Sequence, residues 1–342
     1  MATASDYLAL NGRIKVRESE LVSDSDLERI IDSPDMEHVM RVIADLDVAE
    51  HFDVTKPFTQ ADVEPAFEAH LDEAFRVIEE SAPDNVLVEL LRARFEWHNV
   101  KSVAKAVLAG RSVEEAPLSS LGSWSVEDMQ AVLENEDVPA DIALRQEVVD
   151  VLRRSKEAGA TDPRSIDLLA DAALAQDWKR LARAAKSKPV RQFVERTLEL
   201  QNVRSILRLF AMPNGASIAE QALVDAPMMS REVLLPLVSD EYEGDRVETL
   251  KERMRLLPDA EQLQDGVEQA LQSREFGLLE KAIDDALMSY VKAGRSEMFG
   301  VLPTLGYFLG KERELTNLRI ALTGKQFGMK REQIVERLRD LY

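Results

Sequence analysis

Apolar residues recur along this chain at spacings of three and four. Between Ala61 and Glu80, Leu71, Ala74, Phe75 and Ile78 fall at i, i+3, i+4 and i+7, one face of an α-helix. A second helix starts at Pro83 and Asp84 and carries Leu87, Leu90, Leu91, Phe95, Val100, Val103 and Val107 to Gly110. Residues 5–32 read as one helix, with Tyr7, Leu8, Leu10, Ile14 and Leu21 apolar and Ser25-x-x-Glu28 as a capping box. Pro34 opens the next, through His38, Val39, Val42, Ile43 and Leu46, and a break with Pro57 follows at Asp53 to Gln60. Ser125-x-x-Asp128 starts a helix through Met129, Val132 and Leu133, and helical signals run from Ile142 to Leu152. Gly159 to Pro163 is a turn, after which Ile166, Leu169, Ala170, Ala173 and Leu174 resume the period. The helix from Pro189 holds Phe193, Val194, Leu198, Ile206, Leu207 and Phe210. Beyond the break at Met212-Pro213-Asn214-Gly215, helices are predicted at 246–256, 261–272 and 274–293, with a last helical run from Pro303 to the end. Alternation of β-branched residues is absent, so the predicted fold class is all-α.

The polar positions carry a longer repeat. Glu96, Asn99, Val100 and Lys101 spell E-x-x-N-[VL]-[KR], as do Glu199, Asn202, Val203 and Arg204, and again Glu314, Asn317, Leu318 and Arg319. A degraded copy lies at Asn11, Gly12 and Arg13, and three of the seven asparagines sit in the full pattern. The marker returns roughly every hundred residues, as an internal repeat would. Its surroundings return too: Ser125-x-Glu127 and Ser230-x-Glu232 each follow a marker and a Gly-containing loop, and Gly328, Glu332 and Ile334 follow the last. Three related helical units are expected, at 1–110, 111–213 and 214–342, with the chain ends supplying the outer halves.

Asparagine is a poor helix-interior residue because its amide competes for backbone hydrogen bonds. Lys311, Glu314 and Asn317 form one polar line on their helix, and Arg319 points to nearly the opposite side. The return of Asn inside apolar helices predicts a partner across a helix–helix contact. A solvated charged face would explain one copy; three copies favour a structural joint. Neither reading makes the marker catalytic.

Composition narrows the function. The 342 residues are 45% hydrophobic and 31% charged, with a net charge of −20. That balance disfavours nucleic acid and anionic lipid headgroups, which need lysine and arginine in excess. There is no cysteine, hence no disulfide framework, thiolate nucleophile or cysteine zinc site. No basic leader precedes an apolar core at the N-terminus, and no apolar run approaches the roughly 20 residues that span a bilayer. The four histidines, His38, His51, His70 and His98, are scattered and make no metal spacing. No phosphate-cradling glycine loop or G-x-S-x-G turn is present. Acidic pairs such as Asp284-Asp285 and Glu79-Glu80 read as solvated surface in so acidic a chain, and Trp97, Trp124 and Trp178 as core anchors. No catalytic, cofactor or metal site is expected. An enzyme with an unrecognised carboxylate site is the remaining catalytic alternative.

The chain resembles the C subunits of the V-type and A-type rotary ATPases, the family that includes the d subunit of eukaryotic vacuolar complexes. The likeness is carried by Lys311-Glu312-x-Glu314-x-x-Asn317-Leu318-Arg319 with Gly328, Glu332 and Ile334, by Trp97-His98-Asn99-Val100-Lys101, and by Tyr7-x-x-x-Asn11-x-Arg13-x-x-x-Arg17. Between Asp141 and Lys186 only helical texture is shared. The resemblance implies three similar helical domains in a pseudo-threefold, funnel-like arrangement. It implies a non-catalytic central-stalk rotor component, on the cytoplasmic face of the membrane, that receives the end of the central shaft and links it to the membrane rotor ring. In that family ATP is handled by other subunits, and ion transport is coupled to ATP synthesis or hydrolysis. The alternative of another class is a helical-repeat adaptor with a peptide groove, which repeats of about 30–45 residues would favour.

Overall fold

The computed structural model of the chain describes residues 3–52, 59–122, 124–125, 127–129, 163–212, 214–273 and 275–342. Among them there is no strand. The helices are α1 (Leu8–Arg17), α2 (Asp24–Asp32), α3 (Met36–Ile43), α4 (Gln60–Glu79), α5 (Val86–Leu108), α6 (Pro163–Ala185), α7 (Lys188–Phe210), α8 (Gly215–Ala222), α9 (Arg231–Val238), α10 (Arg246–Met254), α11 (Ala260–Ser273), α12 (Gly277–Lys292), α13 (Leu302–Gln326) and α14 (Arg331–Val335). Short 3₁₀ turns cover Ala4–Tyr7, Glu18–Glu20, Asp47–His51 and Val113–Glu115. The predicted positions Val132 and Leu133, the helical signals from Ile142 to Leu152, the predicted turn at Gly159 to Pro163 except Pro163 itself, which opens α6, and most of the break around Pro57 lie outside the described residues.

Contacts divide the chain into two compact bodies. One joins Met1–Asn85 to Pro258–Tyr342, and the other is Val86–Leu257. In the first, α13 packs against α1, α2, α3, α4, α12 and α14. Helix α13 is apolar on no single stripe because it is enclosed on nearly every side. Leu305, Phe308, Leu318 and Leu322 are buried along it, and Phe308 meets Phe75 of α4 with ring centroids 4.5 Å apart. In the second body, α5 packs along α6, and α7 packs against α6, α8 and α9. Trp97 is buried on α5. Trp178 of α6 is only half-buried and donates its indole N–H to the Leu90 carbonyl at 3.0 Å.

Residues 5–32 are not one helix. Helix α1 ends at Arg17, Leu21 is extended at φ −64 and ψ 141, and α2 begins after Ser23. The capping box is Ser23-x-x-Asp26, two residues earlier than expected, with the Asp26 N–H 3.3 Å from Ser23 Oγ and the Ser23 N–H 3.0 Å from Asp26 Oδ2. The break has a cause: the Val22 N–H donates to the buried carboxylate of Glu314 at 2.8 Å, which removes it from any helical ladder. The Asp284-Asp285 pair is also not solvated surface. Asp285 is buried and accepts the Asp340 N–H at 2.8 Å, while Asp284 pairs with Arg313 at 2.8 Å and Arg339 at 3.2 Å.

Two glycines on α13 make room for the last side chain. A Cβ on Gly306 would lie 2.4 Å from Tyr342 Cε2, and one on Gly310 would lie 2.8 Å from Tyr342 Cβ. Tyr342 is buried there, with the Arg295 guanidinium 5.1 Å from its ring centre. Gly306→Ala must expel or shift that ring, and is expected to cost about 1–3 kcal/mol in urea denaturation. Gly12→Ala on α1, where a Cβ meets nothing within 4 Å, is expected to be neutral or slightly stabilising.

Candidate functional site

Helix α7 carries Glu199, Asn202 and Arg204. Asn202 is fully buried. Its Nδ2 donates to the carbonyls of Val224 and Met229, both at 2.6 Å, and its Oδ1 accepts the Val224 N–H at 3.0 Å. The side-chain amide thus grips both polar groups of one residue. One turn earlier, Glu199 accepts the Met228 N–H at 3.0 Å. Two residues beyond Met228, Ser230 caps α9 by accepting the Val233 N–H at 3.4 Å.

The same arrangement stands on α5. Asn99 donates to the Ser119 carbonyl at 3.0 Å and accepts the Ser119 N–H at 2.7 Å. Glu96 accepts the Trp124 N–H at 3.3 Å. Ser125 and Asp128 follow as a reciprocal cap, at 3.1 and 3.2 Å. Gly122 lies against this clamp, since a Cβ there would be 2.4 Å from Asn99 Nδ2.

On α13, Asn317 donates to the Arg339 carbonyl and accepts the Arg339 N–H, both at 2.8 Å. Glu314 accepts the Val22 N–H, and Ser23 then caps α2. The capped helix that follows the third marker in space is therefore supplied by the opposite end of the chain. Asn11 of α1 also makes buried contacts: it donates to the carbonyls of Met298 and Gly300 at 3.2 and 2.9 Å and accepts from Thr304 Oγ1 at 3.0 Å.

The asparagines of the three full markers do not bind a neighbouring helix, contrary to the expectation from their recurrence. Ser119, Val224, Met229 and Arg339 all lie in non-helical chain. The reason is hydrogen-bond supply. A helix already satisfies its own interior peptide groups, whereas a buried loop cannot, so the loop is where a side-chain amide is needed.

Two of the basic marker residues reach other elements. Lys101 pairs with Asp171 of α6 at 2.8 Å. Arg319 makes a two-pronged pair with Glu64 of α4, both contacts at 2.7 Å, with its guanidinium 5.2 Å from the Phe67 ring centre. That contact holds the Glu64 carboxyl below its usual range. Arg204 is half-buried on α7. These pairs are partly solvated and contribute little beside the clamps.

A second cluster surrounds Glu314, and sequence reasoning missed most of it. Lys311 and His70 are as buried as Glu314. Lys311 Nζ lies 3.1 Å from Asp47 Oδ2, 3.1 Å from Glu314 Oε1 and 2.9 Å from His70 Nε2, and His70 Nε2 lies 2.8 Å from Glu314 Oε1. His51 and Glu73 stand beside His70, with one potential ligand atom from each of the three within 4.8 Å of the others. The available signal was His70-x-x-Glu73, one face of α4, but such spacings are common by chance in a chain with 63 acidic residues.

Burial pushes the Glu199 carboxyl above its usual range, partly offset by the Met228 N–H. The folded state therefore holds that proton more tightly than the unfolded one. Ionised Glu199 destabilises the fold above the ordinary carboxylate range, and the penalty vanishes at lower pH. Glu199→Gln keeps an acceptor for Met228 and removes the charge, so it should equal or exceed the parent in stability near pH 8 and lose any advantage near pH 4. Asn202→Ala leaves three backbone groups unpaired and should cost about 2–4 kcal/mol in urea denaturation. Asn202→Asp sets an anion against two carbonyls, so its loss should shrink as pH falls.

A profile of the family described as ATP synthase (C/AC39) subunit matches residues 10–337. The C subunit of the V-type sodium ATPase of Enterococcus hirae is 23% identical over 345 residues, covering 98% of this chain and 99% of that protein. The C subunit of the A-type ATP synthase of Methanocaldococcus jannaschii is 24% identical over 352 residues, covering 96% and 85%. Its counterpart from Methanothermobacter thermautotrophicus is 23% identical over 347 residues, covering 92% and 83%. The matched span holds Asn11, Asn99, Asn202 and Asn317 alike, and it leaves out only short stretches at either end. With that coverage, the chain belongs to the ATP synthase (C/AC39) subunit family.

Proposed function

We propose that this chain is a non-catalytic central-stalk subunit of a V/A-type rotary ATPase. In this reading it joins the central shaft to the membrane rotor ring, so that ATP turnover and proton or sodium movement stay coupled. The family match across residues 10–337 carries the reading. The marker geometry supports it, because a coupling piece must pass torque without bending. Long packed helices supply a stiff frame, and asparagine clamps tie the buried loops to that frame. Polar atoms of Glu96, Asn99, Glu199, Asn202, Glu314 and Asn317 are engaged with backbone, which supports a structural role for these residues.

The chain is then three related modules, at 1–110, 111–213 and 214–342, the last completed by α2. No described helix is long and apolar enough to cross a membrane. We place the chain on the cytoplasmic face, held by protein contacts with the ring and the shaft. An adaptor of short stacked repeats is less consistent with a period near a hundred residues.

Purification of the native complex through a tag on this chain tests the proposal. Subunits of the catalytic head, the shaft and the ring should come with it. Complexes assembled without the chain should still hydrolyse ATP in the released head but drive no ions. Ion transport that persists without the chain would overturn the assignment.

A further inference from the structure

Two imidazoles in the first body have nitrogens in an unusual state. His70 Nδ1 and His51 Nε2 are buried atoms with no hydrogen-bond partner. His70 is 1% exposed and lies on α4, and His51 ends the Asp47–His51 turn. Their rings meet edge to face, with centroids 5.6 Å apart. Beside them, Glu73 Oε2 lies 3.6 Å from His51 Nε2. An unpaired buried ring nitrogen is costly, and two of them on neighbouring rings beside a carboxylate call for a partner.

We propose that His51, His70 and Glu73 bind a divalent transition-metal ion of the zinc class. The donor set suits such an ion, which takes imidazole nitrogen and carboxylate oxygen in tetrahedral geometry at about 2.0–2.2 Å. Neighbouring ligand atoms in that geometry stand about 3.3–3.5 Å apart. The His51–Glu73 pair is already near that distance, and all three donors lie within 4.8 Å. His51 and Glu73 retain 22% and 32% side-chain exposure, so they can rotate to close the gap, and solvent can deliver the ion.

The surroundings orient the ligands. His70 Nε2 lies against the Glu314 carboxylate, so a proton placed there leaves Nδ1 as a free lone pair. The second oxygen of Glu73 is held by Arg17 Nη2 at 3.2 Å. Lys311 Nζ lies 2.9 Å from His70 Nε2; with Nε2 protonated, the ammonium directs its N–H groups to Glu314 and Asp47 and makes no hydrogen bond to the ring. Arg17 and Lys311 face three carboxylates, Asp47, Glu73 and Glu314, so neutral histidines leave a net negative site. A bound ion would pin the Asp47–His51 turn to α4, with a fourth position left to water. The histidines that looked scattered in sequence thus divide into this converging pair and the exposed His38 and His98, of which His38 is paired with Asp35.

The purified full-length protein, stripped with a chelator, is titrated with Zn²⁺ against a metal indicator and with Co²⁺ followed by visible absorption. One equivalent per chain is expected, with a Co²⁺ band of four-coordinate intensity. His51→Gln and Glu73→Gln, both at partly exposed positions and checked for helicity by circular dichroism, should each weaken Zn²⁺ binding at least tenfold. His38→Gln should leave it unchanged. Binding that is absent, non-stoichiometric or equally tight in His51→Gln and Glu73→Gln would overturn the proposal.

Discussion

A peptide group buried outside a helix has no ladder to join. It must find a donor and an acceptor together, in the right plane, or pay desolvation of both. A primary amide offers that pair, and among the described residues three marker asparagines use it. Asn99, Asn202 and Asn317 each grip the N–H and C=O of a single loop residue, Ser119, Val224 and Arg339. The glutamate one turn earlier takes a further N–H just before a capping serine: Trp124 before Ser125, Met228 before Ser230, and Val22 before Ser23. Each marker helix thereby fixes the course of a loop and the starting point of the next helix.

The third marker shows what this does to the whole chain. Its loop comes from the C-terminal end and its capped helix from the N-terminal end, so Glu314 and Asn317 gather both ends around α13. Lys325 adds to this by donating to the Ile31 carbonyl at 2.9 Å, at the end of α2. These contacts fasten the segments before α2 and after α14 to the buried helix α13. That property suits the coupling role proposed above, in which the subunit works by keeping its shape.

Much of the helical frame was legible in the sequence. The 3.6-residue period along α4, α5 and α7 reflects burial against other helices, and each occurs close to its predicted span. The break between α1 and α2 was not legible, because its cause is Glu314, far away in sequence. The marker asparagines could be found by recurrence, yet their partners could not: Ser119, Val224 and Arg339 share no residue type, since only their backbone is used. The histidine cluster was hidden for a similar reason, with His51 on a turn and His70 on a helix, joined only by the fold.

The central claim, that side-chain amides hold these loops as firmly as helix, is tested most directly by native-state hydrogen exchange. If the clamps act as described, the amide protons of Ser119, Val224 and Arg339 exchange as slowly as those in the middle of α7, although none of the three lies in a helix. Exchange of those three amides at the rate of exposed loop residues, while α7 stays protected, would contradict the account.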